Sequence, residues 1–184
     1  HDVEIIIRNA DGTPVTAFSL SLSADLDEHP SVAALDNGDF AVAWTRTVAG
    51  NTQVWYAVYG PGGTAVQGPT LHDNVGTINR NVQVAATDGG FALVYEDNGW
   101  ATGTVDITLA RFHANGSLIE NTNISNPTLA NDASNDANPT VSRLSNGFLA
   151  VAYEYNYFAD TDLHLRLVGT AGESLAALSL QGGQ

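Results

Sequence analysis

Twenty acidic residues stand against six arginines and no lysine, and several of the acids gather in short polar stretches suited to an oxygen-seeking cation. The stretch "SADLDEHP" (23–30) carries Asp25, Asp27 and Glu28 beside His29. The stretch "NDASNDANP" (131–139) sets Asp132, Ser134, Asp136 and Asn138 at alternate positions, the early ligand spacing of a calcium loop. Calcium takes about six to eight oxygens, which clustered carboxylates on a loop can supply. The glycine and distal glutamate of an EF-hand are missing, and position 143 is arginine. Asp27 and Asp136 each lie three residues before a proline, Pro30 and Pro139, where the middle of the chain has Ile78. Asp25, Asp27, Asp132 and Asp136 are therefore the metal candidates and calcium the expected cofactor, against the plainer alternative of solvated turn aspartates. For ligand binding the candidates are aromatic: Trp55, Trp100, Tyr155, Tyr157 and Phe158. The segment "EYNYFADTD" (154–162) places aromatics beside carboxylates, a combination that suits hydroxyl-rich ligands, although loop aromatics also fold back over cores.

Other chemistries find little footing. His29, His72, His113 and His164 are scattered singly, without HxH or HExxH spacing. There is no cysteine, so thiol catalysis, thiolate metal sites and disulfides are excluded. The chain has no G-x-S-x-G segment. Glu96 and Glu154 follow the aromatics Tyr95 and Tyr153, but the corresponding residue after Trp44 is Thr45. No catalytic residue is assigned.

The elements that must position these residues repeat. "ALDNGDFAVAW" (34–44), "AATDGGFALVY" (85–95) and "RLSNGFLAVAY" (143–153) share a turn glycine, at Gly38, Gly89 and Gly147. Each glycine follows Asn37, Asp88 or Asn146 and precedes by six residues an aromatic, Trp44, Tyr95 or Tyr153. Asn-Gly and Asp-Gly predict two-residue type I′ hairpins. The Ala/Val-rich flanks predict burial on both faces. A second hairpin class alternates with the first, with turns at "ADGTPV" (10–15), "PGGTAV" (61–66), "ANGSLI" (114–119) and "TAGESL" (170–175). Its strands alternate with period two, as in Leu163, Leu165 and Leu167 against His164 and Arg166.

This order predicts fourteen strands in a single all-β domain over 1–184. An extra hairpin (1–22) is followed by three four-stranded units at 30–72, 81–125 and 139–180, with Pro30 and Pro139, and Asn81 in the middle copy, expected to mark where each first strand begins. Four antiparallel strands and then a polar crossover is the plan of a propeller blade, so a β-propeller-like fold is expected, with a β-trefoil or β-sandwich as alternatives. The place of Trp44 is taken in the later copies by tyrosines, and all three aromatics are expected to pack between units. Three and a half units do not close a ring.

A net charge of −14 and a pI near 4.3 disfavour nucleic acid and anionic lipid as partners. No apolar run reaches the ~20 residues of a membrane span, so no membrane insertion is expected. The sequence opens on His1 and has no methionine, which predicts a piece of a larger protein.

The segments "HPSVAALDNGDFAVAWTR" and "VWYAVYGPGGTAV" resemble repeat modules of very large secreted bacterial proteins of the repeats-in-toxin (RTX) and adhesin type. The resemblance covers nearly the whole chain in outline, and the second copy departs most, with Gln83 where the others have Val32 and Val141. It implies a secreted or cell-surface bacterial location, a calcium-rich setting and no catalytic residues. The calcium nonapeptide of such proteins is absent, and the chain stops at "LQGGQ". The leading expectation is a non-catalytic scaffold or recognition module that binds a glycan or protein surface, with calcium. The alternatives are a glycan-active enzyme domain using carboxylates such as Glu96 and Glu154, and a module that self-associates through exposed strand edges.

Overall fold

The computed structural model describes residues 2–21, 23–100, 103–126, 134–157 and 160–180. Phe158 and Asp132 lie outside the described residues. Fourteen strands and no helix occur among the described residues. Strands β1 (Glu4–Arg8) and β2 (Pro14–Ser19) form a lone hairpin. Sheet one follows as β3 (Leu26–Ala34), β4 (Phe40–Val48), β5 (Asn51–Tyr59) and β6 (Ala65–Asp73). Sheet two is β7 (Asn79–Thr87), β8 (Gly90–Asp97), β9 (Asp106–His113) and β10 (Leu118–Asn123). Sheet three is β11 (Ser134–Arg143), β12 (Leu149–Tyr157), β13 (Asp160–Val168) and β14 (Ser174–Leu180). Each sheet pairs its strands antiparallel in chain order, and no ladder joins one sheet to the next among the described residues. That is the blade plan, not the order of a trefoil or a two-sheet sandwich.

The sheets stack in sequence. Trp44 packs in a cluster with Val3, Leu20 and Phe18 of the N-terminal hairpin region. Tyr95 lies with Phe91 and Leu93 against Val54, Tyr56 and Val58 of sheet one. Tyr153 lies with Val151 and Leu149 against Ile107 and Leu109 of sheet two. All three aromatics are wholly buried, and each points at the preceding element. We call this the leading face of a sheet. Each thin sheet thus buries the aromatic of its leading face against the element before it. No sheet follows the third among the described residues, and its other face leaves Leu163 47% and Leu178 53% exposed. At one end the turns of the inner hairpins converge. Arg143 donates to Asp36 Oδ1 at 2.8 Å and Oδ2 at 3.0 Å, and also to Asp88, tying sheet three to the turns of sheets one and two. The arrangement is propeller-like without a closed ring.

Three local features differ from the sequence expectation. First, none of the three inner turns is type I′: in Asp88-Gly89 only the glycine takes positive φ, and the Asn-Gly turns of copies one and three are wider. Leu35 N bonds Asp39 O, Leu144 N bonds Phe148 O, and only the glycines of these turns take positive φ. The asparagines act as side-chain caps instead: Asn37 Oδ1 accepts from Asp39 N and Asn146 Oδ1 from Phe148 N. Second, Pro30 and Pro139 do not open their strands. They follow a bulge in which His29 and Asn138, like Asn81 in sheet two, adopt φ of 53°, 52° and 54°. The bulge consumes no ladder bond at the proline, so pairing continues back to Leu26 and Ser134. Third, burial on both faces holds along β8, while β3 and β11 alternate between covered and exposed positions. Among the described residues, sheet two alone has a full sheet on each side.

The two-residue type I′ geometry occurs at Ala49-Gly50, with φ of 51° and 86°. A left-handed alanine is strained, whereas asparagine tolerates that region. Ala49→Asn should therefore stabilise the protein by about 0.5–1 kcal/mol, a gain of about 1–4 °C in Tm by calorimetry. An unchanged Tm would mean that the turn relaxes out of the left-handed region.

Candidate functional site

The bulge sets an internal numbering for the sheets. Two residues before it stand Asp27, Asn79 and Asp136, all buried, and the ladder pairs them with Arg46, Asp97 and Tyr155, each two residues past its aromatic. The middle equivalent of Asp27 is thus Asn79, not Ile78. The span from bulge to aromatic is one residue shorter in sheet two because its turn, Asp88-Gly89, is tighter.

In sheet one this position is an ion pair. Arg46 Nε and Nη2 donate to Asp27 Oδ1 and Oδ2 at 2.7 and 3.0 Å, and Trp44 Nε1 donates to Oδ1 at 3.0 Å. The guanidinium also lies 4.1 Å over the Trp55 ring. Asp27 is therefore committed to Arg46 and Trp44. Asp25 is half-buried nearby, its N–H turned to Ser23 Oγ at 3.3 Å. Asp136 is buried in sheet three. Among the described residues no three His, Cys, Asp or Glu side chains are grouped to hold a metal ion, and Asp132 lies outside them.

In sheet two the arginine is replaced by Asp97, and the site opens. A cleft of about 310 Å³ is lined by His72, Asp73, Val75, Asp97, Gly99, Trp100, Leu118 and Asn121. Its walls come from the end of β6, the 97–100 segment and β10, so it exists only because sheets one and two stack. The loop is clamped to the preceding crossover: Asn98 Oδ1 accepts from both Thr77 N and Ile78 N at 2.9 Å. Gly99 is required by close approach, since a Cβ there would meet Val75 O at 2.8 Å.

At the floor, Tyr95 donates its hydroxyl proton to Asp73 Oδ2 at 2.7 Å. With that proton committed, His72 Nε2, 3.2 Å away, is the donor to the phenol oxygen. Burial, reinforced by Asp73, holds the Tyr95 phenol well above its ordinary pKa. Burial likewise lowers that of His72, partly offset by Asp73, which keeps the ring neutral near pH 7. Trp100 Nε1 donates to Thr108 Oγ1 at 2.6 Å, and Thr108 donates in turn to Asp97 Oδ2 at 3.0 Å. Asp97 is raised to about 6, first by burial and then by the charges of Asp73 and Asp106, against the bonds from Gly99 N and Thr108. Asn79, across the ladder, is wholly buried with its Oδ1 unbonded.

The aromatic candidates divide among the sheets. Trp55 is half-buried, stacked on Trp44 with centroids 6.3 Å apart. Trp100 lines the cleft. Tyr155 stacks on Tyr157 at 6.3 Å and on His164 at 4.5 Å. Spread over three sheets, the described aromatics form no single platform. Glu96 is enclosed by Arg80, Asn81 Nδ2 and Asn138 N, and so staples sheet two to sheet three. Glu154 accepts from Asn138 Nδ2 at 3.0 Å.

Of the cleft residues, sequence reasoning selects Trp100 alone. No known family profile and no curated protein matches the chain.

Proposed function

We propose that this chain is a non-catalytic recognition module of a secreted bacterial protein, and that it binds a hydroxyl-rich glycan in the cleft between sheets one and two. The observation that carries the reading is the meeting of Trp100 with Asp73, Asp97, Asn121 and His72 in one concavity. An indole supplies a flat apolar surface for a sugar ring, and carboxylates and an amide supply directed acceptors for its hydroxyls. The clamped loop supports binding without a large ordering cost.

Glycan-array screening followed by calorimetry tests the proposal. A hit should weaken about ten-fold or more in Trp100→Ala, and less in Trp100→Phe, which keeps a ring. Equal affinity in both variants would remove the cleft from the reading. Repeating the titration in calcium and in chelator tests the acidic crossovers: a calcium-dependent Tm rise of several degrees assigns them a bound ion, and no rise removes calcium from the reading.

One observation favours the enzymatic alternative. Asp97, raised to about 6 beside Asp73, has the character of a general acid. Release of reducing sugar that is abolished in Asp97→Asn would establish hydrolysis. Binding without release would leave recognition.

A further inference from the structure

The three copies of one valine differ sharply in cover. Val32, Val84 and Val141 occupy the same place on the leading faces of sheets one, two and three, one residue after the first pair beyond the bulge. Val84 is 8% exposed, packed in the cluster that holds Ala41, Ala43 and Leu35 of sheet one's inner hairpin. Val141 is partly buried against sheet two. Val32 is 64% exposed. Among the described residues the element before sheet one is the outer hairpin β1–β2, which shields Trp44 but does not reach Val32. The space left is a groove of about 650 Å³ bounded by β1 on one side and by Val32, Ala34 and Phe40 on the other.

The β1 edge facing this groove is open. Leu20 N donates to Val3 O, so the odd residues of β1 direct their backbone groups at β2. Alternation then turns the N–H and C=O of Glu4, Ile6 and Arg8 to the other edge, where no strand pairs among the described residues. The equivalent edges of β5, β9 and β13 are each paired along their length with β4, β8 and β12, the second strand of an inner hairpin.

We propose that the groove between β1 and the leading face of sheet one is a docking site for a separate Ala/Val-rich β-hairpin, which pairs with β1 and covers Val32, Ala34 and Phe40. The occupant is defined by what pairs with the equivalent edge three times in this molecule, and twice also covers the next sheet's leading face: a two-stranded, largely uncharged ribbon of the inner class. Its site continues the interface that the β1–β2 hairpin already makes with Trp44, Val42 and Phe40. Backbone bonds to the β1 edge provide affinity, and the small-residue floor selects small side chains.

The test uses the full chain and a fluorescent synthetic peptide of residues 31–46, an inner hairpin of this sequence. Saturable binding is expected, together with a Tm rise of several degrees at saturation. Ile6→Pro removes an N–H from the open edge and none from the β1–β2 ladder, so it should weaken binding about ten-fold or more while the protein stays folded. Val32→Glu, at an exposed position, should do the same through the floor, and Ile6→Val should bind like the parent. Absence of saturable binding, or equal binding by all the variants, overturns the proposal. So does sedimentation showing a dimer of the chain alone that Ile6→Pro disperses, because the occupant would then be a second copy.

Discussion

Asp27→Ala should cost about 3–5 kcal/mol of stability, the largest effect expected from any single side chain outside the aromatic core. The Asp27 and Arg46 side chains are 0% and 8% exposed, so water cannot replace either partner. Removing the carboxylate strands a buried guanidinium and takes the acceptor from Trp44 Nε1 at the same time. The loss spreads, because Arg46 also covers Trp55, and Trp55 stacks on Trp44. In thermal melts the fall should be about 10 °C, and urea midpoints should move with little change in slope. The double variant Asp27→Leu with Arg46→Met should recover most of the loss, since it removes both charges and restores volume. A single-variant cost below about 1 kcal/mol would place the pair in the weak class of solvated ion pairs and detach Asp27 from the packing of sheet one.

The same ladder position explains how much was legible in the sequence. Hairpins announce themselves through turn glycines and period-two strands, and both signals are local, so fourteen strands in the right order follow from Gly12, Gly38, Leu163 and their counterparts. The aromatics six residues after each inner turn glycine were equally readable, because burying one face of a thin ribbon needs a large apolar group at a fixed place. What failed was chemistry with two local solutions. Asparagine before glycine serves a left-handed turn or caps an N–H two residues on, and Asn37 and Asn146 do the second. A proline after a polar residue opens a strand or follows a bulge, and Pro30 and Pro139 do the second. These ambiguities shift the repeat alignment of sheet two by one residue, which hides the correspondence of Asn79 with Asp27. They also favour Glu96, a staple, over its neighbour Asp97. The cleft itself was beyond a local reading, since His72, Asp73, Tyr95 and Asn121 meet only when two sheets stack. One signal was available. Arg46, Asp97 and Tyr155 share a spacing of two from their aromatics, and a carboxylate where the first copy has an arginine is a departure with an electrostatic consequence.

That consequence is measurable. Asp97→Asn should raise stability at neutral pH and leave it unchanged in acid. In the folded chain Asp97 titrates at about 6, against 3.8 for the free side chain, because it is buried and faces Asp73 and Asp106. Between those two values the folded protein holds a proton that the unfolded chain has lost, so stability falls as pH rises from about 4 to about 6. Above that range the whole penalty of an ionised, enclosed carboxylate is present. A rise of that size in a fully enclosed group corresponds to roughly 3 kcal/mol, and water reaching the cleft side of the carboxylate reduces this to about 1–2 kcal/mol. Asparagine keeps an acceptor for Gly99 N without the charge. Its Tm should exceed the parent's by about 4 °C at pH 7.5, and the two should converge below pH 4. Curves that stay parallel from pH 3.5 to pH 8 would mean that Asp97 titrates as an ordinary carboxyl. Neither His72 nor Tyr95 can mimic the effect: burial lowers the histidine, so its titration makes stability rise with pH, the opposite sign, and burial raises the phenol, which stays neutral throughout. A protein that keeps a carboxylate where an amide would fold better is paying for something other than folding. On the proposed recognition reading, Asp97→Asn should accordingly bind a glycan less well while melting higher, a separation of stability from affinity that a merely structural aspartate would not produce.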